Sequence, residues 1–303
     1  MVQFTMGILF YHEGAGQGEV SDIVGAVTKN LITICQELTI YKSREKGDII
    51  KYCHKIKEEQ LPYEVIYLLG GDGTVHELIN GVMQADLNLP IGILPGGTFN
   101  DFTKTLNLPP NPADASEALT TSSVKHIDVM KVNDRYVLNF AGLGLIVENS
   151  EGVADDAKSR IGKFSYLMST LRSVTDPTFF NYRVTIDNQV HTGSSSMIIT
   201  ANGQFVGGNR IPLTELSPDD GILDVFIFKE SGIKLFTELL SEKSAATWND
   251  ISNNIEHYSG AHIMIETENK MAVDIDGEID IETPLRIDIL TKRLRMFTGQ
   301  DIV

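Results

Sequence analysis

The stretch Leu68-Leu69-Gly70-Gly71-Asp72-Gly73-Thr74-Val75-His76-Glu77-Leu78 constrains the fold more than any other part of the chain. Ahead of it, Val65 to Leu69 is a short apolar run of buried-strand size. Behind it, Val75, Leu78, Ile79, Val82 and Met83 recur at helical spacing and make one apolar face. Three glycines and an aspartate fill the turn between strand and helix. Glycine permits close backbone approach and positive φ. The first turn of a helix offers unpaired N–H groups that suit a phosphate. Asp72 puts a carboxylate beside that position, which is repulsive unless a divalent cation bridges the two or the acid takes up a proton. Two readings stand for this turn alone: a phosphoryl-transfer site with a metal, or a plain loop of a parallel sheet with Asp72 as a turn residue.

A second turn favours the first reading. Ile91-Gly92-Ile93-Leu94 is another buried-strand run, followed by Pro95-Gly96-Gly97-Thr98-Phe99-Asn100-Asp101-Phe102, in which Thr98 or Asn100 is placed to cap a helix. Adjacent parallel strands that end in glycine turns build one crevice at the carboxyl edge of the sheet, where ligands bind in such folds. Upstream, Met6 to Phe10 reads as the first strand. It leads into Gly14-Ala15-Gly16-Gln17-Gly18, which is neither the dinucleotide fingerprint nor a Walker loop. Val20 to Cys35 has helical periodicity, Glu37 to Tyr41 is expected to be a strand, and a helix is expected between Ser43 and Glu59 with Lys51, Lys55 and Lys57 on its solvated face. Alternation of this kind through Leu119 predicts an α/β domain with a parallel sheet.

The texture changes near Val124. Short β-type runs then dominate, at 127–132, 136–141, 182–186, 197–201, 223–228, 262–266, 271–275 and 285–290, the pattern of an antiparallel sandwich or barrel. One segment departs from it. Asp155-Asp156 is placed to cap a helix reaching Val174, lined by Ile161, Phe164, Met168 and Leu171 and decorated by Lys158, Arg160, Lys163 and Arg172. It reads either as a helix packed on the sandwich or as a membrane-facing lid.

The formal net charge of −16 over 303 residues argues against nucleic acid, whose binding needs a basic face. A membrane surface stays open, since one local basic patch suffices. No signal peptide is evident, and no apolar run reaches the roughly 20 residues needed to span a bilayer, so membrane contact is expected to be peripheral. Cys35 and Cys53 lack metal-ligand spacing and are read as buried reduced thiols of a cytoplasmic chain.

Taken together, Gly70 to Thr74, Glu77, Asn80-Gly81 and Pro95 to Phe102 resemble the diacylglycerol kinase catalytic family, and more narrowly its soluble bacterial lipid kinases. The likeness continues through Val124 to Val132, Arg135 to Gly144, Ser217 to Asp224 and Asp274 to Glu278. The resemblance implies an ATP-binding α/β domain over 1–124, rejoined by a last strand at about 293–303. It implies a β-sandwich over 125–292 that helps hold the lipid in an interdomain cleft. ATP and Mg²⁺ are the implied cofactors, and the implied partner is a lipid alcohol such as diacylglycerol, met peripherally at the inner face of the cytoplasmic membrane. A homodimer is among the open options for assembly.

Residue by residue, the resemblance places Gly14, Gly16, Ser43, Gly71, Gly73, Thr74, Glu77, Gly97 and Thr98 at the nucleotide, and Asp72 at the catalytic Mg²⁺. Asp128 matches the acid that supports the Asp72–metal network. Asp276 and Glu278 match the segment supplying a general base, with the choice between them open. Ser217, Asp220 and Ile222 match a second, structural Mg²⁺ site. Local pattern alone offers blander roles: Asp276-Gly277 as a two-residue hairpin turn, Asp219-Asp220-Gly221 as a turn, and Asp128 as a solvent-facing strand residue. His12-Glu13 stands where the family has Asn-Pro, and Lys104 where an arginine is common. A NAD kinase that uses the same crevice, and a lipid- or nucleotide-binding protein without turnover, are the alternatives. On this reading Asp72→Asn removes activity and leaves the fold intact.

Overall fold

A computed structural model describes residues 4–12, 20–147, 178–211, 216–229 and 254–299. It divides into two compact units, one of residues 1–128 with 292–303 and one of residues 129–291. The chain passes between them inside two strands, β5 (Ser123–Val132) and β18 (Leu285–Thr298).

The first unit alternates strand and helix: β1 (Phe4–His12), α1 (Val20–Leu31), β2 (Cys35–Ser43), α2 (Asp48–Glu58), β3 (Val65–Gly70), α3 (Asp72–Gln84), β4 (Pro90–Pro95), α4 (Asp101–Thr105) and α5 (Pro112–Leu119). Strands β2-β1-β3-β4 lie side by side in that order and run parallel. Every residue of β3 and of β4 is buried, as expected for strands covered on both faces. Helix α1 packs on α5, and α2 packs on α3. The chain leaves β1 in one direction and β3 in the other, so β1 and β3 flank a topological switch point, where crevices open at the carboxyl ends of the strands. Met296 pairs with Ile91, which places the carboxyl-terminal part of β18 beside β4.

Three local expectations are corrected here. Helix α1 stops at Leu31, not near Cys35. Ile34 donates its N–H to the Leu31 carbonyl and accepts from Phe4 N–H, so its burial is reached from a turn and not from a longer helix. The runs at 285–290 and 293–303 are one strand through Thr298, interrupted only by Lys292 at φ 55. The run at 136–141 is two strands, β6 (Arg135–Val137) and β7 (Phe140–Gly144), broken at Leu138-Asn139.

The second unit continues with β8 (Phe180–Ile186), β9 (Gln189–Ser195), β10 (Met197–Ala201), β11 (Phe205–Val206), β12 (Asn209–Arg210), β13 (Leu223–Phe228), β14 (Ile255–Gly260), β15 (His262–Thr267), β16 (Ala272–Ile275) and β17 (Glu278–Glu282). One sheet is β14-β13-β10-β7-β16-β17, antiparallel throughout. Strand β15 pairs antiparallel with β8 and with the first part of β18, and β8 pairs with β9. Val184, Ile186, Ile263, Ile265 and Ile287 of these strands join Leu143, Ile198, Val225, Ile227 and Val273 of the first sheet in one buried core, which is the layering of a β-sandwich. The fold class is therefore an α/β unit followed by an antiparallel β-sandwich.

Candidate active site

The two glycine turns meet. Gly96 N–H donates to the Gly70 carbonyl at 2.9 Å. A Cβ on Gly97 would stand 2.5 Å from Gly71 Cα, one on Gly71 2.9 Å from Gly97 Cα, and one on Gly96 2.9 Å from Gly70 N. The glycines of both turns are thus required by backbone-on-backbone contact. None of Gly70, Gly71, Gly73, Gly96 or Gly97 uses positive φ, which corrects one of the two reasons for expecting glycine here.

The left-handed position belongs to Asn100, at φ 54 and ψ 46, a conformation that asparagine tolerates better than most residues. Its side chain does not cap α4. Its amide nitrogen donates to the Gly97 carbonyl at 2.9 Å and its oxygen accepts from Gly97 N–H at 2.8 Å, closing the second turn on itself. Asp72 makes the cap in its place. Its carboxylate accepts from Asn100 N–H at 3.0 Å and from Asp101 N–H at 2.8 Å. One side chain at the first residue of α3 thereby satisfies the opening amides of α4, where negative charge also suits the helix dipole. Asp72 and Thr74 are half-buried, and Gly73, Gly97 and Thr98 are exposed, so the corner opens to solvent. Beside it lies a cleft of about 740 Å³ lined by Asp22, Ile23, Ala26, Gly97, Thr98, Lys104 and Leu108 among others, a volume typical of small-molecule sites. Asp22, Ile23 and Ala26 come from α1 and carry no motif, so nothing in the sequence marked them.

The remaining expected residues fall as follows. Glu77 faces α2: its Oε1 accepts from Gly47 N–H and Ile49 N–H, both at 2.9 Å. It caps that helix from a distance, since Gly47 at the cap position is left-handed and has no side chain. Ser43 is buried and donates its hydroxyl to the Tyr11 carbonyl at 3.3 Å. Asp128 is fully buried, not solvent-facing, and its Oδ1 accepts from Lys292 N–H at 2.6 Å. Asp276 and Gly277 both adopt positive φ in the β16–β17 hairpin, as a two-residue turn requires. The Asp276 carboxylate accepts from Leu138, Asn139 and Phe140 N–H at 2.9–3.0 Å and so ties down the break between β6 and β7. Glu278 opens β17 and is half-buried. In the Ser217–Ile222 turn, Ser217 Oγ donates to Asp219 at 2.6 Å and Ile222 N–H donates to Asp220 at 2.9 Å. Gly14, Gly16, Glu13 and the basic segment at 155–174 lie outside the described residues.

The sequence matches the diacylglycerol kinase catalytic domain over residues 6–132 and the YegS C-terminal NAD kinase beta sandwich-like domain over 143–298. A Staphylococcus aureus (strain Mu3) protein named "Putative lipid kinase" is 49% identical over 302 residues, covering 99% of each chain. The chain belongs to the diacylglycerol kinase catalytic family. That family of lipid kinases includes solved relatives: a Bacillus anthracis str. Sterne protein described as a "putative diacylglycerol kinase" aligns over 100% of both chains at 34% identity with a TM-score of 0.90. A second structure, of a diacylglycerol kinase from the same organism, covers 98% of both chains at 34% identity with a TM-score of 0.87. Among the described residues no helix is long and apolar enough to cross a membrane.

Proposed function

We propose that this lipid kinase transfers the γ-phosphoryl group of ATP, with Mg²⁺, to the primary hydroxyl of diacylglycerol or a related lipid alcohol. One observation carries the reading: two glycine turns in backbone contact at the carboxyl ends of neighbouring parallel strands, with the Asp72 carboxylate at their junction. The exposed backbone of Gly73, Gly97 and Thr98 lets a polyphosphate approach closely. A magnesium ion is held by one or two carboxylates together with phosphate and water oxygens, and the half-buried carboxylate of Asp72 is a donor of that kind. Asp220 and the carbonyls of Ser217 and Ile222 offer a second set of hard oxygens, suited to a structural ion. When bound, ATP and its ion supply the transferable phosphoryl group and neutralise its oxygens.

The chain's own residues do the rest. Asp72 holds both turns in register through α4. Glu278 takes the proton of the acceptor hydroxyl, a step typically worth about 10²–10⁴ in rate. Asp276 positions, because both of its oxygens serve three backbone amides. The acceptor reaches the site from the cytoplasmic face of a bilayer.

The test is transfer of labelled phosphate from ATP to diacylglycerol, sphingoid bases and NAD, with and without Mg²⁺. Product is expected only with a lipid acceptor and the ion. Labelled NADP as the sole product would overturn the reading. Asp72→Asn is expected to abolish turnover and, contrary to the expectation of an undisturbed fold, to lower stability by about 1–3 kcal/mol. Its amide nitrogen would face an N–H that now meets an oxygen. An active Asp72→Asn enzyme would remove Asp72 from the mechanism.

A further inference from the structure

The catalytic reading puts nothing into the cleft beside the glycine corner. Its volume is about 740 Å³, and Gly97 and Thr98 line it while also belonging to the corner. Cleft and corner both lie within the α/β unit, which builds the cleft from its own elements. Helical spacing explains the room inside. On α1, Asp22, Ile23, Ala26 and Asn30 share one face. Asn30 clasps α5: its amide nitrogen donates to the Ala113 carbonyl at 3.1 Å and to Ser116 Oγ at 2.8 Å. One turn toward the start of α1, the same face presents only the methyl group of Ala26, which is exposed, and the cleft opens there. Asp22 stands about 12 Å along the axis from Asn30, at 1.5 Å per residue.

The opposite wall contains Leu108, Pro110 and Pro112. Proline has no N–H and a fixed φ, so this wall is stiff and offers no backbone donor at those two positions. The asparagines beside it are committed to their own backbone. Both ends of the Asn100 side chain bond to Gly97, and the Asn111 oxygen accepts from Ala113 and Asp114 N–H. Among the described residues the lining carries one charge of each sign, Asp22 and Lys104, and so no net charge to draw a phosphate or a carboxylate. A heterocyclic base is oriented by placed polar groups, whereas a hydrocarbon chain asks only for apolar walls that exclude water.

We propose that this cleft holds one acyl chain of the acceptor, which passes Thr98 from the corner and lies between Ile23 and Ala26 on one side and Leu108, Pro110 and Pro112 on the other. The hydroxyl end of the lipid then stays at the corner, where the phosphoryl group is transferred. This chain site rests on the reading that the acceptor is a lipid alcohol. It adds a subsite formed by the α/β unit alone.

The experiment titrates butanoyl-, hexanoyl- and octanoylglycerol, each as a monomer in water, into the full chain and follows binding by calorimetry. Wild type is compared with Ala26→Phe, which fills the cleft, and with Ala26→Glu, which sets a charge against the chain. Wild-type affinity is expected to rise roughly fourfold for each CH₂ added to the chain. Both variants are expected to bind octanoylglycerol at least about tenfold more weakly and to lose the dependence on chain length. ATP with Mg²⁺ is expected to leave octanoylglycerol bound. Affinity independent of chain length in wild type would overturn the site, as would equal binding by wild type and both variants, whatever the kinase assay shows. Displacement of octanoylglycerol by ATP would also overturn it and give the cleft to the nucleoside. Binding that depends on chain length and on Ala26, in a wild-type protein that phosphorylates no lipid, would instead overturn the kinase reading and leave the chain site standing. Ala26 is an exposed helical position, so Ala26→Glu keeps the test valid if the bulkier Ala26→Phe fails to fold.

Discussion

At Gly97 a hydrogen in place of a side chain decides whether the catalytic corner exists. A Cβ would sit 2.5 Å from Gly71 Cα, a contact with backbone that no rotamer can relieve. Gly97→Ala is expected to cost about 1–3 kcal/mol, the range for overpacking, and to lower turnover more than stability because it displaces Asp72 from the α4 amides. Denaturant unfolding and a kinase assay on the same sample check both halves. The two acids of the β16–β17 hairpin separate in the same way. Asp276→Asn disturbs three backbone hydrogen bonds and is expected to destabilise the sandwich by roughly 1–3 kcal/mol. Glu278→Gln is expected to lower kcat by about 10²–10⁴. A thermal melt beside initial rates tells them apart, and a fully active Glu278→Gln would return the base role to Asp276.

Elements in this protein end in two ways. Helix α5 is capped locally: Asn111 accepts from Ala113 N–H at 2.8 Å and Asp114 N–H at 3.3 Å, with Pro112 at the first helical position. Helices α2 and α4 are capped remotely, by Glu77 and Asp72 of α3. Helix α3 thus fastens two neighbouring helix starts through two acids five residues apart. Glu77→Ala is expected to cost about 1 kcal/mol, as for other lost caps. It should also speed hydrogen exchange at the Gly47 and Ile49 amides while leaving α5 unaffected. Unchanged exchange at those amides would show that the cap carries no stability.

Over the whole molecule, each unit buries groups that must stay protonated. In the α/β unit, burial pushes the Cys53 thiol from 9.0 up to about 12, with the charge of Glu77 adding to it, and raises the Tyr67 phenol as well. In the sandwich, burial, reinforced by Glu256 and Tyr258, pushes the Tyr182 phenol from 10.0 up to about 12. In the unfolded chain these groups lose protons near 9 and 10, while in the folded chain Cys53 and Tyr182 keep them until near 12. Folding stability is therefore fully present below pH 9 and declines as pH rises toward 12. Guanidinium midpoints measured from pH 8 to 11 should fall, and Cys53→Ala should flatten the early part of the decline. A midpoint constant through pH 11 would contradict the burial of these groups.

Period and punctuation reach only as far as neighbours along the chain. The runs Val65 to Leu69 and Ile91 to Leu94, the amphipathic spacing from Val75 to Met83, the paired glycine turns and the Asp276-Gly277 hairpin were all legible in the residues, because each depends on backbone preference and side-chain period within a few positions. The alternation of strands and helices, followed by short β runs, determined an α/β unit and a sandwich by the same logic. What the sequence left open is what depends on distant partners. Asn100 was legible as a turn residue, but not that it would lie in the left-handed region and surrender its cap to Asp72, 28 positions away. Glu77 carried a motif yet not its helix, and Asp128 looked solvent-facing until Lys292 closed over it. The reason the glycines are glycines, a second turn pressing against the first, exists only once β3 and β4 lie side by side. Hydrogen-bond satisfaction and excluded volume act through space, so only the tertiary structure could decide them.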